Sequence, residues 1–262
     1  MKAHNSILSL VLALCFGAIP TRAQEIAVAA AADLKFAMSE VAGQYEKKTG
    51  NKVNVTYGSS GNFFSQLQNG APFDLFFSAD IDYARKLETA GLAEPGTLYR
   101  YAIGRIVIWA PADSKVDVTT LGWKALLSGS VQKISIANPE HAPYGRAAVA
   151  AMQKAGIYDQ VKAKLVYGDN ISQAAQFVQS GNAQVGIVAL SLAVSSAMQD
   201  GRRWDIPADM HPPIEQAAIV LKTARNKDAA RSFLDFVKTE AARATLAKYG
   251  FSFPSEKSNT TN

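Results

Sequence analysis

The stretch that decides the fold is residues 53–70, "VNVTYGSSGNFFSQLQNG". Val53, Val55 and Tyr57 alternate with polar residues, the period of two that belongs to a strand. Phe63, Phe64 and Leu67 then fall at helical spacing until Gly70 ends the run. Between the two lies Gly58-Ser59-Ser60-Gly61, so the segment reads strand, turn, helix. The same order stands just upstream, where residues 25–30 read as a strand. Leu34, Ala37, Met38, Val41 and Tyr45 continue it as a helix that stops at Gly50. It recurs downstream, where "DLFFSAD" (74–80) leads into a helix carrying Ala84, Leu87 and Ala90 and ending at Gly91.

The second half keeps the alternation, with strands expected at "RIVIWA" (105–110), "KISIAN" (133–138), "KLVYG" (164–168) and "VGIVAL" (185–190). A last strand, "QAAIVL" (216–221), precedes one long helix carrying Phe233, Phe236, Val237 and Leu246 and closed by Gly250. Such alternation predicts α/β layers with mixed, mostly parallel sheets and helices on both faces. No Pro- or Ser-rich linker interrupts the chain, so the pattern permits one large sheet or two lobes between which the chain crosses more than once.

Composition narrows the class. The 262 residues are 48% hydrophobic and 19% charged, an ordinary globular balance that excludes disorder. Lys2, the apolar run from Ile7 to Ile19 and the small-residue site Thr21-Arg22-Ala23 predict a signal peptide over residues 1–23, too short to remain as a membrane anchor. Cys15, the single cysteine, falls inside it behind the bulky Leu14, where a lipid-attachment site needs a small residue. The mature chain therefore has no thiol, which excludes disulfides and cysteine catalysis together. Of the net charge of +5, Lys2 and Arg22 carry two, leaving +3 on scattered Lys and Arg residues. No nucleic-acid face is expected from such a distribution. Residues 255–262 are polar and are expected to be loose.

In an α/β sheet small ligands bind where strands end and turns enter helices. Here those turns are built from small residues, hydroxyls and amides: Ala31-Ala32-Asp33, Gly58 to Gly61, Ser78-Ala79-Asp80, Pro143-Tyr144-Gly145 and Asp169 to Ser172. A helix start presents unpaired N–H groups and about half a positive charge, which suits an anion. Glycines flanking Ser59 and Ser60 let the backbone come close, and each hydroxyl has one proton to donate. A single turn of this kind is better explained as helix capping than as binding; several in one sheet point to an oxygen-rich anion.

Chemistry, by contrast, lacks its parts. Mature His141 and His211 each sit beside a proline, and the chain has no H-E-x-x-H, G-x-S-x-G, Walker loop or G-x-G-x-x-G. Asp33, Asp74, Asp80 and Asp169 suit helix capping as well as acid–base work. An enzyme using Asp33 or Asp80 as general base on an anionic substrate is the remaining catalytic reading, and it lacks a visible partner for the base. Binding without cofactor or catalysis is expected.

Four segments carry a family resemblance: "AVAAAADLKFAMSEVAGQYEKKTG", "YGSSGNFFSQLQNGAPFDLFFSAD", "ANPEHAPYGRAAVAAM" and "LAKYGFSFP". Over nearly the whole mature chain they resemble the periplasmic molybdate-binding proteins of ABC importers. The resemblance implies a type II periplasmic-binding fold, with lobe 1 over 24–104 and 213–254, lobe 2 over 105–212, and a ligand cleft between them. It implies a monomer that captures molybdate or tungstate in the periplasm and delivers it to a permease with its ATPase. The ion would be held as an oxyanion through Ala32, Asp33, Ser59, Ser60 and the backbones of Tyr144 and Ile171, without direct metal ligands. A tyrosine that some members supply late in the chain is Ala189 here.

The first turn departs from the family pattern, because a carboxylate stands at Asp33 where a hydroxyl or amide is usual. Two accounts are open. Asp33 caps its own helix and offers only its N–H to the ligand, or its carboxylate faces the pocket and accepts a proton from a protonated oxyanion. The second would turn selectivity toward phosphate or arsenate, and sulfate is a further alternative ligand.

Overall fold

The computed structural model describes residues 23–254. In chain order the first part contains β1 (Glu25–Ala31), α1 (Lys35–Thr49), β2 (Lys52–Gly58), α2 (Ser60–Gln68), β3 (Leu75–Ser78), α3 (Ile81–Thr89) and β4 (Tyr99–Gly104). There follow β5 (Ile106–Ala110), α4 (Val118–Leu121), α5 (Trp123–Leu127), β6 (Ile134–Ala137), α6 (Pro143–Lys154), α7 (Tyr158–Val161) and β7 (Leu165–Gly168). Then come α8 (Ile171–Gln179), β8 (Val185–Ala189), α9 (Leu190–Ala193), β9 (Arg202–Asp205), β10 (Ile214–Val220), α10 (Lys227–Val237) and α11 (Glu240–Lys248). The expected signal peptide and loose tail lie outside the described residues, apart from Ala23. No helix among the described residues is long and apolar enough to cross a membrane.

The strands make two five-stranded sheets, β2-β1-β3-β10-β4 and β7-β6-β8-β5-β9, one in each lobe. β1 lies parallel to β2 and β3, and β6 lies parallel to β7 and β8, so consecutive strand–turn–helix units deliver their turns to one sheet edge. In each sheet one strand opposes the other four: β10 in the first and β5 in the second. These are the strands entered directly after the chain crosses between sheets, at 104–106 and again at 205–214. A chain arriving at the edge where its neighbours end has to run the other way.

Burial follows the sequence. All four residues of β3 and all five of β5 and β8 are buried, as continuous apolar runs covered on both faces should be. Tyr45, Phe77 and Phe233 pack edge-on between the first sheet and its helices, and Trp123 meets Trp204 edge-on at the far side of the second. α1 ends on Gly50 at φ 76, the left-handed position that glycine fills without cost.

Two expectations need correction. The long C-terminal helix is two helices, broken at Lys238-Thr239, because the Thr239 side chain accepts a hydrogen bond from Ala242 N and starts a new helix as N-cap. Strands β4 and β9 were not foreseen: "YRYAIG" and "RRWD" carry charges that hide the alternation.

Candidate functional site

Registers bring the turns together. Ala31 pairs with Gly58 and Ala30 with Phe77, so β1, β2 and β3 end side by side. Across the cleft Ala137 pairs with Gly168, which aligns the ends of β6 and β7. Between these edges the lobes enclose a cavity of about 10 Å³, in which Ala32, Asp33, Ser59, Ser60, Tyr144 and Ile171 all take part. Ala31, Gly58, Ala79, Ala142 and Pro143 complete the lining, and Ala189 is absent from it. No Lys, Arg or His reaches the wall. A larger hollow, about 490 Å³, opens on another flank of the cleft among Asp80, Arg85, Arg146 and Glu215. Its wall carries charges of both signs and lacks the helix-start donors described next.

Capping decides which donors remain. Ser59 Oγ accepts from Asn62 N at the start of α2, and Asn170 Oδ1 accepts from Ser172 N and Gln173 N at the start of α8. Gly145 N and Arg146 N turn back to Ala142 O in α6. The caps consume the third amide of α2 and the second and third of α8, while Ser60, Tyr144 and Ile171, at or next to the first helical position, have no acceptor within their helices. Pro143 fits ahead of Tyr144 because the first helical N–H is not needed. Ser60 Oγ accepts from Ala79 N at 2.9 Å, which leaves its own proton for a guest.

Ser59 Oγ, in the wall of the cavity, accepts from Asn62 N and shares a 2.9 Å hydrogen bond with His141 Nδ1, so it also ties the two sides of the cleft together. His141 also accepts from Gly61 N through its carbonyl at 2.9 Å, and its Nε2 stands 3.7 Å from Asp169. Asn62 Nδ2 donates to Asp169 across the same gap, and Arg146 pairs with Asp80 at 2.5 Å beside it. Six side chains, Ser59, Asn62, Asp80, His141, Arg146 and Asp169, thus clasp the two lobes. A Cβ on Gly61 would lie 2.6 Å from His141 O, so glycine there permits the approach.

Asp33 does not follow the first account. The position before its short helical turn is Ala31, with no side-chain cap, so Asp33 is not an N-cap. Its carboxylate turns to a buried network: Tyr144 Oη donates to Oδ2 at 2.9 Å and Gln216 Nε2 at 2.7 Å, while Tyr101 Oη donates to Gln216 Oε1 at 2.5 Å. The Tyr144 ring is therefore buried behind the site and does not cover its mouth. Oδ1 is buried without a hydrogen-bond partner. Burial pushes the Asp33 carboxyl up to about 6, against the lowering pull of Gln216 and Tyr144. Burial and the Asp33 charge raise Tyr101 and Tyr144 well above the usual phenol range, so both remain donors. Gln216, Tyr101 and Ser191, which donates to Asp33 O at 2.7 Å, carry no sequence signal: adjacent strands β10 and β4 bring the first two together, and the meeting of the lobes brings Ser191 on α9.

Comparison with known proteins agrees with this geometry. The family model of the bacterial extracellular solute-binding proteins matches residues 26–252. A molybdate-binding protein, ModA, of Rhodobacter capsulatus is 39% identical over 251 residues, 96% of each chain. ModA of Escherichia coli is 32% identical over 87% of this chain and 88% of its own. The solved periplasmic molybdate-binding protein of Azotobacter vinelandii superposes with a TM-score of 0.82 at 33% identity, covering 88% of this chain and all of that one. With two lobes, two crossings and a cleft lined by helix starts, the chain belongs to the bacterial extracellular solute-binding proteins.

Proposed function

We propose that this protein captures molybdate, and tungstate beside it, outside the cytoplasm and delivers it to an ABC permease with its ATPase. It works as an exported monomer after loss of residues 1–23. Lobe 1 comprises 24–104 and 213–254, and lobe 2 comprises 105–212. The observation that carries the reading is the convergence of unpaired amides at Ser60, Tyr144 and Ile171, with the Ser60 hydroxyl, on a cavity that has no cationic side chain in its wall. Neutral, fixed dipoles of this kind replace an oxyanion's hydration without a countercharge. The ion is taken from the relatives, which are molybdate-binding proteins.

Four or five hydrogen bonds to a charged guest, each about 1.5–3 kcal/mol net, reach the range of a nanomolar complex at ~12 kcal/mol before closure and immobilisation are subtracted. Selection against sulfate rests on reach, because a smaller tetrahedron cannot touch donors on both lobes at once. Catalysis finds no support in the site: Asp80 caps α3 and pairs with Arg146, and Asp33 is locked in its network. Calorimetric titration with molybdate, tungstate, sulfate and phosphate tests the reading. Tight binding of the first two is expected. Equal competition by sulfate or phosphate refutes the assignment of the ion, and binding of none refutes the oxyanion site.

A further inference from the structure

A carboxylate in the wall of an anion cleft is an anomaly with a built surrounding. Both side-chain donors that reach the Asp33 carboxylate converge on Oδ2, and their orientation is fixed: Tyr101 Oη holds Gln216 Oε1, so Gln216 Nε2 has to face Asp33 and the Tyr144 oxygen, leaving the Tyr144 proton for Oδ2. Any proton the carboxyl takes is therefore placed on Oδ1, the oxygen that is buried without a partner in a residue lining the cavity. Gly104 maintains the network, because a Cβ there would run into Tyr144 Oη.

Among the described residues no cationic side chain offsets the charge of an ionised Asp33 once an anion arrives; only neutral donors, the backbone amides of Asp33 and Leu34 included, act on it. α6 contributes Tyr144, β4 Tyr101, β10 Gln216 and α9 Ser191, all neutral donors. On β2 the Tyr57 hydroxyl is engaged with Ser39, and on α1 the Lys35 ammonium lies over the Phe36 ring. α8 presents the apolar Ile171, Ala174 and Ala175.

Resting on the oxyanion reading, we propose that Asp33 couples capture to proton uptake: the occupied cleft holds one proton more than the open one, seated on Asp33 Oδ1 and donated to an oxygen of the guest. The step is a carboxylate, a solvent proton and a tetrahedral dianion combining into a neutral carboxyl that hydrogen-bonds the dianion; no other bond forms or breaks. Asp33 is thereby a donor, like every other group in the wall. The sign follows from linkage. Where Asp33 is ionised in the free protein, above about pH 6, affinity falls up to tenfold per pH unit; below that the proton is already present and the dependence levels off.

The experiment is calorimetry of the mature protein with sodium molybdate at pH 7.5 in buffers of different ionisation enthalpy, which counts protons, together with Kd from pH 5.5 to 8.5. Wild type is expected to take up close to one proton per molybdate. Asp33→Asn, whose amide donates without titrating, is expected to take up none and to give a flat profile. Molybdate binding by wild type without proton uptake overturns the proposal and leaves the oxyanion function standing. Uptake that persists in D33N overturns it too, by assigning the proton to another group such as His141. Binding of no oxyanion by either protein sinks both readings. If D33N does not fold, the wild-type count and pH profile decide alone.

Discussion

Replacing Gly61 by alanine separates closure from folding. Gly61 is in the first turn of α2 with ordinary helical geometry, so alanine costs the backbone nothing and favours the helix by up to about 1 kcal/mol. Across the cleft the added Cβ would lie 2.6 Å from His141 O and 2.9 Å from His141 Cα. Carbon–oxygen contacts settle at about 3.3–3.6 Å, so the lobes have to part by roughly 0.7 Å or more at this point. That breaks the Gly61 N to His141 O bond, about 1 kcal/mol, and stretches the neighbouring Ser60 donors from the guest, another ~1–2 kcal/mol. The sum is about 2–3 kcal/mol, a roughly thirty- to two-hundredfold rise in the Kd for molybdate. Urea unfolding of the ligand-free variant is expected to show unchanged or slightly raised stability, while calorimetry shows the loss. A Kd within twofold of wild type would refute the contact geometry on which the closed cleft rests.

Two further outcomes follow from the site. Ser60→Ala removes the hydroxyl proton and strands Ala79 N–H, and is expected to weaken molybdate binding by roughly 2 kcal/mol, about thirtyfold; unchanged affinity in a titration would take Ser60 out of the site. The raised Asp33 carboxyl also sets a pH dependence of stability. The folded protein holds this proton more tightly than the unfolded chain, so the contribution falls as pH rises from 3.8 through about 6, by up to about 3 kcal/mol at pH 7. D33N removes that slope, and the difference in unfolding free energy between D33N and wild type should grow in favour of D33N between pH 4.5 and 7.5. A constant difference across that range would mean Asp33 is not buried as described.

The alternation of periods along the chain made the α/β class legible, because a covered strand and an amphipathic helix each need their own spacing of apolar residues. The same reading placed the turns at 31–33, 58–61, 143–145 and 169–172, since a strand that ends in small residues before a helix leaves little else for the chain to do there. Turn composition, moreover, pointed to an anion through amides that helix geometry leaves unpaired. Charged strands such as "RRWD" stayed hidden, because edge position rather than apolar content makes them strands. The break between α10 and α11 was hidden as well, since one threonine cap outweighs an unbroken apolar period.

What no local pattern carries is the direction of a side chain at a junction of distant segments. Asp33 reads as a helix-start residue in sequence, and a cap would be its usual role. Its actual role depends on Tyr144, Gln216 and Tyr101, brought around it from the far lobe and from two neighbouring strands of its own sheet. The Ser59–His141 and Gly61–His141 contacts likewise exist only when the lobes meet. Sequence determined which backbone amides are free, because that is a matter of a few consecutive residues; tertiary structure alone decided which side chains lean on them, because burial and hydrogen-bond geometry are set by residues from 82 to 183 positions apart.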